Sequence, residues 1–304
     1  MSFKRWKAQS FSDKLFDVLN YTILTIAAIV CLYPLYYIVI VSFSREVYGS
    51  WFFPNGFSIE GYELVFKNAE IWTAYRNTIF YTLGGVVLGL FLTIPYAYAI
   101  SRKDLPGRKL FTGYLLVTMF LSGGMIPGYL TVQSLGLVDT WWVVIIMTGV
   151  SAYNVIVART FFATSIPDEL LEASRMDGCG NGRFFFKIVL PLSKPILAVI
   201  ALWIGVGRWN SYLTEMIYLR DKAKYPLSMF LRRLLWQMET INAMITGTVG
   251  DSTAEITESM LEQIRVASIM QYVVIVCASL PMLIIYPFIQ KYFAKGVMIG
   301  SVKG

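Results

Sequence analysis

Pro167 to Pro191 reads PDELLEASRMDGCGNGRFFFKIVLP, the one long segment between hydrophobic blocks with the features of a docking element. Pro167 suits the first helical turn, where its missing N–H costs nothing. Asp168 and Glu169 follow where the helix dipole favours negative charge. Leu170, Leu171 and Ala173 supply an apolar face, and Asp177-Gly178 supplies a stop, because glycine takes the left-handed position after a helix cheaply. Asn181 is placed to cap a second short helix carrying Phe184, Phe185, Ile188 and Leu190, with Pro191 closing it. The residues predict two short helices meeting at a glycine corner, within a loop bounded at 165–191.

The surroundings of this loop are those of a membrane. The chain has 304 residues, 56% hydrophobic and 15% charged, where a soluble domain carries about a quarter charged residues. The formal net charge of +7 could suggest nucleic acid, but the positive residues cluster beside apolar blocks, so orientation in a bilayer explains them and no nucleic-acid partner is expected. There is no histidine, which removes Ser-His-Asp triads and imidazole metal sites. Cys31, Cys179 and Cys277 lie far apart and suggest neither a disulfide framework nor a metal site. No phosphate-binding G-x-x-x-x-G-K-[ST] motif occurs, so any ATP that drives this protein binds another chain. No catalytic group and no cofactor is expected in this one.

A crossing needs roughly 20 apolar residues to span about 30 Å of hydrocarbon, and six candidates appear. The expected architecture is all-α and polytopic: a cytoplasmic segment 1–17, a six-span region 18–290, and a cytoplasmic tail 291–304. The first span runs from about Val18 to Phe43 around Pro34. Trp51, Phe52, Phe53 and Tyr62 then fit an interfacial belt. The second covers about Asn77 to Ile100, with Gly85 and Gly89 forming a small-residue ridge for close helix packing. Arg102, Lys103, Arg108 and Lys109 crowd the next loop, a cytoplasmic marker. The third span begins near Leu110 and is interrupted at Ser122–Gly128, a break that protein or a wet cavity must satisfy. The fourth runs from the Trp141-Trp142 interface to about Phe162, with Tyr153 and Asn154 inside it. Asn154 reads either as polar glue between helices or as part of a polar path.

The fifth span, about Pro195 to Leu213, ends in Trp203, Arg208, Trp209, Asn210 and Tyr212. Aromatic faces with planar polar groups suit a sugar, so Tyr153, Asn154, Trp209 and Asn210 are the candidate pathway residues, although interface anchoring accounts for the aromatics equally. An arginine at the bilayer centre costs at least about 2.5 kcal/mol on insertion scales, so Arg208 is expected near the interface or facing a wet cavity. Residues 214–263 read as an external insertion with a basic amphipathic stretch, Leu227 to Trp236, and the acids Asp251, Glu255, Glu258 and Glu262. The sixth span follows, about Val266 to Phe288. Lys/Arg residues at 4, 5, 7 and 14, in the second-to-third loop, and at 291, 295 and 303 put both termini in the cytoplasm.

The loop resembles the coupling loop of type I ABC-importer permeases. The signature stands here as Glu172-Ala173-Ser174, Gly178, Ile188 and Leu190-Pro191, with Asp177-Gly178 and Leu190–Pro195 closest to the carbohydrate branch. Pro54-x-Gly56-Phe57-Ser58 followed by Gly61-Tyr62, and the ending Val302-Lys303-Gly304, are similar to that branch as well. The resemblance implies a bacterial plasma-membrane permease subunit paired with a second, similar permease. It further implies two ATPase subunits that bind ATP and Mg, an extracytoplasmic solute-binding protein, and an oligosaccharide larger than a disaccharide as substrate. Glu172 would contact the ATPase cleft, Ala173 and Ser174 would allow close approach, and Asp177 and Gly178 would make the turn. Phe185, Ile188, Leu190 and Pro191 would anchor the loop to the spans. The competing readings are a permease for a non-sugar solute such as an amino acid or polyamine, a homo-oligomeric channel, and a membrane-embedded transferase. The last is disfavoured by the absence of histidine and of paired carboxylates.

Overall fold

The computed structural model describes residues 10–47, 52–147, 149–249 and 258–301. Lys4, Arg5, Lys7, Trp51, Asp251, Glu255 and Val302–Gly304, all used in the sequence reading, lie outside these. The described residues are helical, with one isolated bridge between Ser44 and Phe57 and no strand. The α-helices in chain order are α1 (Phe11–Ser42), α2 (Glu60–Lys67), α3 (Ala69–Ser101), α4 (Arg108–Phe120), α5 (Met125–Ser134), α6 (Trp141–Ile146) and α7 (Ala152–Ser165). They continue with α8 (Asp168–Met176), α9 (Asn181–Phe184), α10 (Leu190–Leu192), α11 (Lys194–Trp209), α12 (Leu213–Tyr218), α13 (Leu227–Val249) and α14 (Glu258–Ser301).

Among the described residues, three helices are long and apolar enough to cross a membrane: α1, α3 and residues 265–287 of α14. The count reaches five if two bent pairs each make one crossing. One pair is α4 with α5, bent by 114° at the expected glycine break, and the other is the run 181–192 with α11, bent by 78°. The expected fourth span is divided into α6 and α7. Between them Gly149 brings its carbonyl oxygen to 3.3 Å from where a Cβ on Gly89 would stand, so the break lets main chain approach main chain on α3. The expected tail is helical from 291 to 301, because α14 runs on through Pro281 and Pro287 to Ser301.

The chain divides into two compact units. The first holds residues 1–67 and 234–277. Within it, Ser42 Oγ and Tyr62 Oη are 2.8 Å apart, and the Phe43 ring stacks on Phe57 at 5.9 Å. Gly61 is the close-approach point of α2, since a Cβ there would lie 2.6 Å from Ile269 Cγ2.

The second unit holds residues 68–233 and 278–304. Its apolar core joins Ile94 and Ala97 of α3, Val155 and Phe162 of α7, Phe184 and Phe185, and Ile196 and Ile200 of α11. The glycine ridge of α3 fits α11: Gly85 lies under the Arg208 side chain, and Gly89 under Ile204. The start of the 214–263 segment is built into this unit, with Glu215, Tyr218, Leu219, Leu227 and Phe230 all buried.

Candidate functional site

The loop at 165–191 folds as a helical hairpin. α8 is capped by Pro167, whose φ of −64° and ψ of 145° place it just outside the helix instead of in its first turn. The helix ends at Asp177, and Gly178 takes φ +72°. The Gly178 N–H donates to Arg175 O at 3.0 Å and the Cys179 N–H to Ser174 O at 2.9 Å. This double closure satisfies carbonyls that the helix end would leave bare.

The second arm departs from the expectation in two ways. Gly180, and not Asn181, occupies the cap of α9; Asn181 Oδ1 accepts a bond from Arg102 Nη1 at 3.2 Å instead. Pro191 does not close the arm either. The helix widens to a π-turn over Phe185–Val189 and continues through Pro191 to Leu192. A proline clashes with the carbonyl four residues back in a regular α-helix, and a π-turn just before it relaxes that register.

The faces of the hairpin sort the sequence-derived residues. Glu169, Glu172, Ala173 and Met176 recur at helical spacing and are exposed, as is Asp177. Met176, at 89% exposure, was not singled out from sequence; its place three residues after Ala173 was the available signal. Ser174 turns the other way: it is 5% exposed and its hydroxyl donates to Leu171 O at 2.8 Å. It therefore packs within this chain and does not share the face of Glu172 and Ala173. Phe185 is buried in the core of the second unit, Ile188 and Leu190 pack against that core, and Pro191 is exposed.

The four candidate pathway residues differ in exposure and in contacts. Tyr153 is exposed, its ring 5.5 Å from that of Trp203. Asn154 is buried. Trp209 is buried and its indole donates to Ala278 O at 2.9 Å, while Asn210 ends α11 and its Nδ2 donates to Val206 O at 3.0 Å. Arg208, expected at the interface or a wet cavity, is inside the protein. Its Nη1 stands 3.4 Å from Glu215 Oε1, and each side chain is 2% exposed. Glu215 Oε2 also accepts from Ser211 Oγ at 2.9 Å. Arg208 Nη2 has no hydrogen-bond partner among the described residues. The sequence reading missed Glu215 because it fell in the assumed insertion.

Residues 7–299 match the family described as binding-protein-dependent transport system inner membrane component. The chain belongs to this family. The permease is 38% identical over 296 residues to the polygalacturonan/rhamnogalacturonan transport system permease protein YtcP of Bacillus subtilis, covering 96% of this chain and 99% of that one. It is 38% identical over 297 residues to protein LplC of Bacillus subtilis, covering 96% of each. Its fold matches a chain of a bacterial ABC transporter involved in the import of the acidic polysaccharide alginate. That match has a TM-score of 0.81 and 32% identity, over 94% of this chain and 99% of the other. The permease is thus a membrane component of a binding-protein-dependent transport system, with the helical fold of an ABC-importer subunit.

Proposed function

We propose that this permease forms half of the translocation pathway of an ATP-driven importer for an oligosaccharide. Its partners would be a second permease of the same family, two ATPase subunits and an extracytoplasmic solute-binding protein. The observation that carries the substrate class is the near full-length similarity to a permease named for polygalacturonan/rhamnogalacturonan transport and to a chain of an ABC transporter involved in alginate import. ATP and Mg belong to the ATPase subunits in this reading, which is supported by the absence of a phosphate-binding loop from the sequence.

The hairpin 165–191 is the docking element for one ATPase. Glu172, Ala173 and Met176 share an exposed helix face, and Gly178 holds the corner in a conformation that side-chain-bearing residues adopt at a cost. Phe185, Ile188 and Leu190 root the second arm in the core shared by α3, α7 and α11. Closure of the ATPase dimer would push α8, and the rooted arm would pass that displacement to the spans. The chain crosses the membrane six times in this reading, with α6 and α7 together making the fourth crossing and both termini cytoplasmic. The exposed apolar residues Phe120, Leu121, Met125 and Ile126 at the α4–α5 elbow would face the second permease or the pathway.

The test is uptake by the complete complex in proteoliposomes with its own binding protein, offered neutral and uronic-acid oligosaccharides, amino acids and polyamines. ATP-dependent uptake of an oligosaccharide is the expected result. Uptake confined to amino acids or polyamines would overturn the substrate assignment. Glu172→Lys should reduce uptake at least tenfold with the chain still inserted in the membrane; normal uptake would remove Glu172 from the docking face.

A further inference from the structure

The three residues that follow α3 hold both helices of the hairpin by charge. Asp104 takes a two-point bond from Arg102, Nε to Oδ1 at 2.8 Å and Nη2 to Oδ2 at 2.5 Å. The same Oδ2 accepts from Arg175 Nη2, near the end of α8, at 2.7 Å. Arg102 Nη1 reaches Asn181 Oδ1 at the start of α9, and Lys103 Nζ meets Asp168 Oδ2 at the start of α8 at 2.7 Å. Asp104 is the single acid among the four Lys/Arg residues of this loop.

The contacts continue inward. Arg102 Nη1 also bonds Tyr98 Oη at 3.2 Å, and its guanidinium lies 5.9 Å from the centre of that ring. The Tyr98 ring is 5.0 Å from that of Phe185 and 5.7 Å from that of Phe162. The loop itself is stiffened where Arg108 Nε donates to Ile100 O at 3.1 Å. A continuous set of contacts therefore runs from the exposed hairpin helix through one carboxylate to the core of the second unit.

The need for such a brace follows from the hairpin's corner. α8 is joined to α9 by Gly178-Cys179-Gly180, and among the described residues, adjacent ones aside, no atom lies within 4 Å of a Cβ built on either glycine. A push on α8 would otherwise be absorbed there. Isolated surface ion pairs contribute little, but a bidentate arginine in a network on one carboxylate is the geometry in which such contacts hold orientation.

We propose that Asp104, with Arg102 and Arg175, is a positioning group for energy coupling, clamping the docking hairpin to α3 so that motion of α8 is carried into the spans. This rests on the docking reading of the hairpin. The experiment compares Asp104→Asn with Asp104→Glu in the complete complex in proteoliposomes, measuring binding-protein-stimulated ATP hydrolysis and solute uptake together. A Glu169→Cys cross-link to the ATPase, from an exposed position on the same helix, is followed in parallel. The Asn variant should still hydrolyse ATP but consume roughly fivefold more per solute imported, the low end of typical coupling between linked sites. The Glu variant should stay close to the parent. Arg175→Gln, at the other end of the bond, should repeat the Asn result.

An unchanged ratio in Asp104→Asn with the cross-link intact overturns the clamp alone. Absence of the cross-link in the parent complex overturns the docking reading beneath it. If the Asn variant loses its ATPases, Asp104 serves docking itself and its role as a coupling clamp is rejected.

Discussion

At the scale of single residues the strongest departure from expectation is Arg208. A lone arginine at the end of an apolar span is expected to reach water, and the sequence offered no reason to look further. Its partner stands seven residues on, past the Asn210–Tyr212 break, in the segment 214–263 that reads from sequence as an external insertion. Only packing brings Glu215 back beneath it. Removing one member of a buried pair leaves the other charge unpaired, which costs about 3–5 kcal/mol. Glu215→Ala should therefore lower the melting temperature of the detergent-solubilised protein sharply. The double change Arg208→Met/Glu215→Leu should recover most of the loss, because an apolar pair of similar volume avoids the desolvation of both charges. Equal destabilisation by the double change would show that the pair holds more than its own charges.

Gly178 is the opposite case. Its role was legible, because Asp-Gly after an apolar helix face specifies a left-handed stop, and the structure gives φ +72° there. Gly178→Ala should cost roughly 1–2 kcal/mol of local conformational energy with no steric clash, read as weaker ATPase retention on purification without loss of insertion.

At the scale of elements, the helices with an unbroken apolar run were readable. α3 is an example over its apolar part, expected from about Asn77 to Ile100; its first turns were not, since the helix starts at Ala69, where Asn68 Oδ1 accepts from the Glu70 N–H at 2.9 Å. Its glycine ridge announced a close contact, although not with which helix, since a small-residue spacing carries no information about its partner. The structure supplies α11. Gly89→Leu should separate the two helices, because even a Cβ at position 89 would lie 2.7 Å from Ile204 Cδ1. Overpacking of this kind costs about 1–3 kcal/mol, visible as a lowered melting temperature that Ile204→Ala partly restores. The divided fourth span and the π-turn before Pro191 were not readable. The uncharged run 140–158 looks continuous, and the main-chain approach of Gly149 to α3 is a property of two segments 60 residues apart in sequence. The brace at 102–104 was hidden for a different reason: its cations served as an orientation signal, and Asp104 among them passed as part of a polar loop.

For the whole molecule, the charge network makes a statement about pH. The Arg102 guanidinium bonded to Asp104, with Arg175 beside it, holds that carboxyl well below the usual carboxylate range. A group whose folded value is depressed contributes fully above its unfolded value, near about 3.9 for Asp, and loses that contribution only as pH falls through the folded value. Uptake per ATP hydrolysed should therefore be flat between about pH 5 and 8. A midpoint inside that range would point to another group.

The central claim is that this permease works as one half of an ATP-driven pair through the 165–191 hairpin, and its most direct test is composition. The chain is tagged, purified from its native membrane in mild detergent, and its companions are identified and counted. A second permease of the same family and two copies of an ATPase, with the ATPase lost from Gly178→Pro, is the result this account predicts. A homo-oligomer without any ATPase, under conditions that keep other ABC complexes whole, would contradict it.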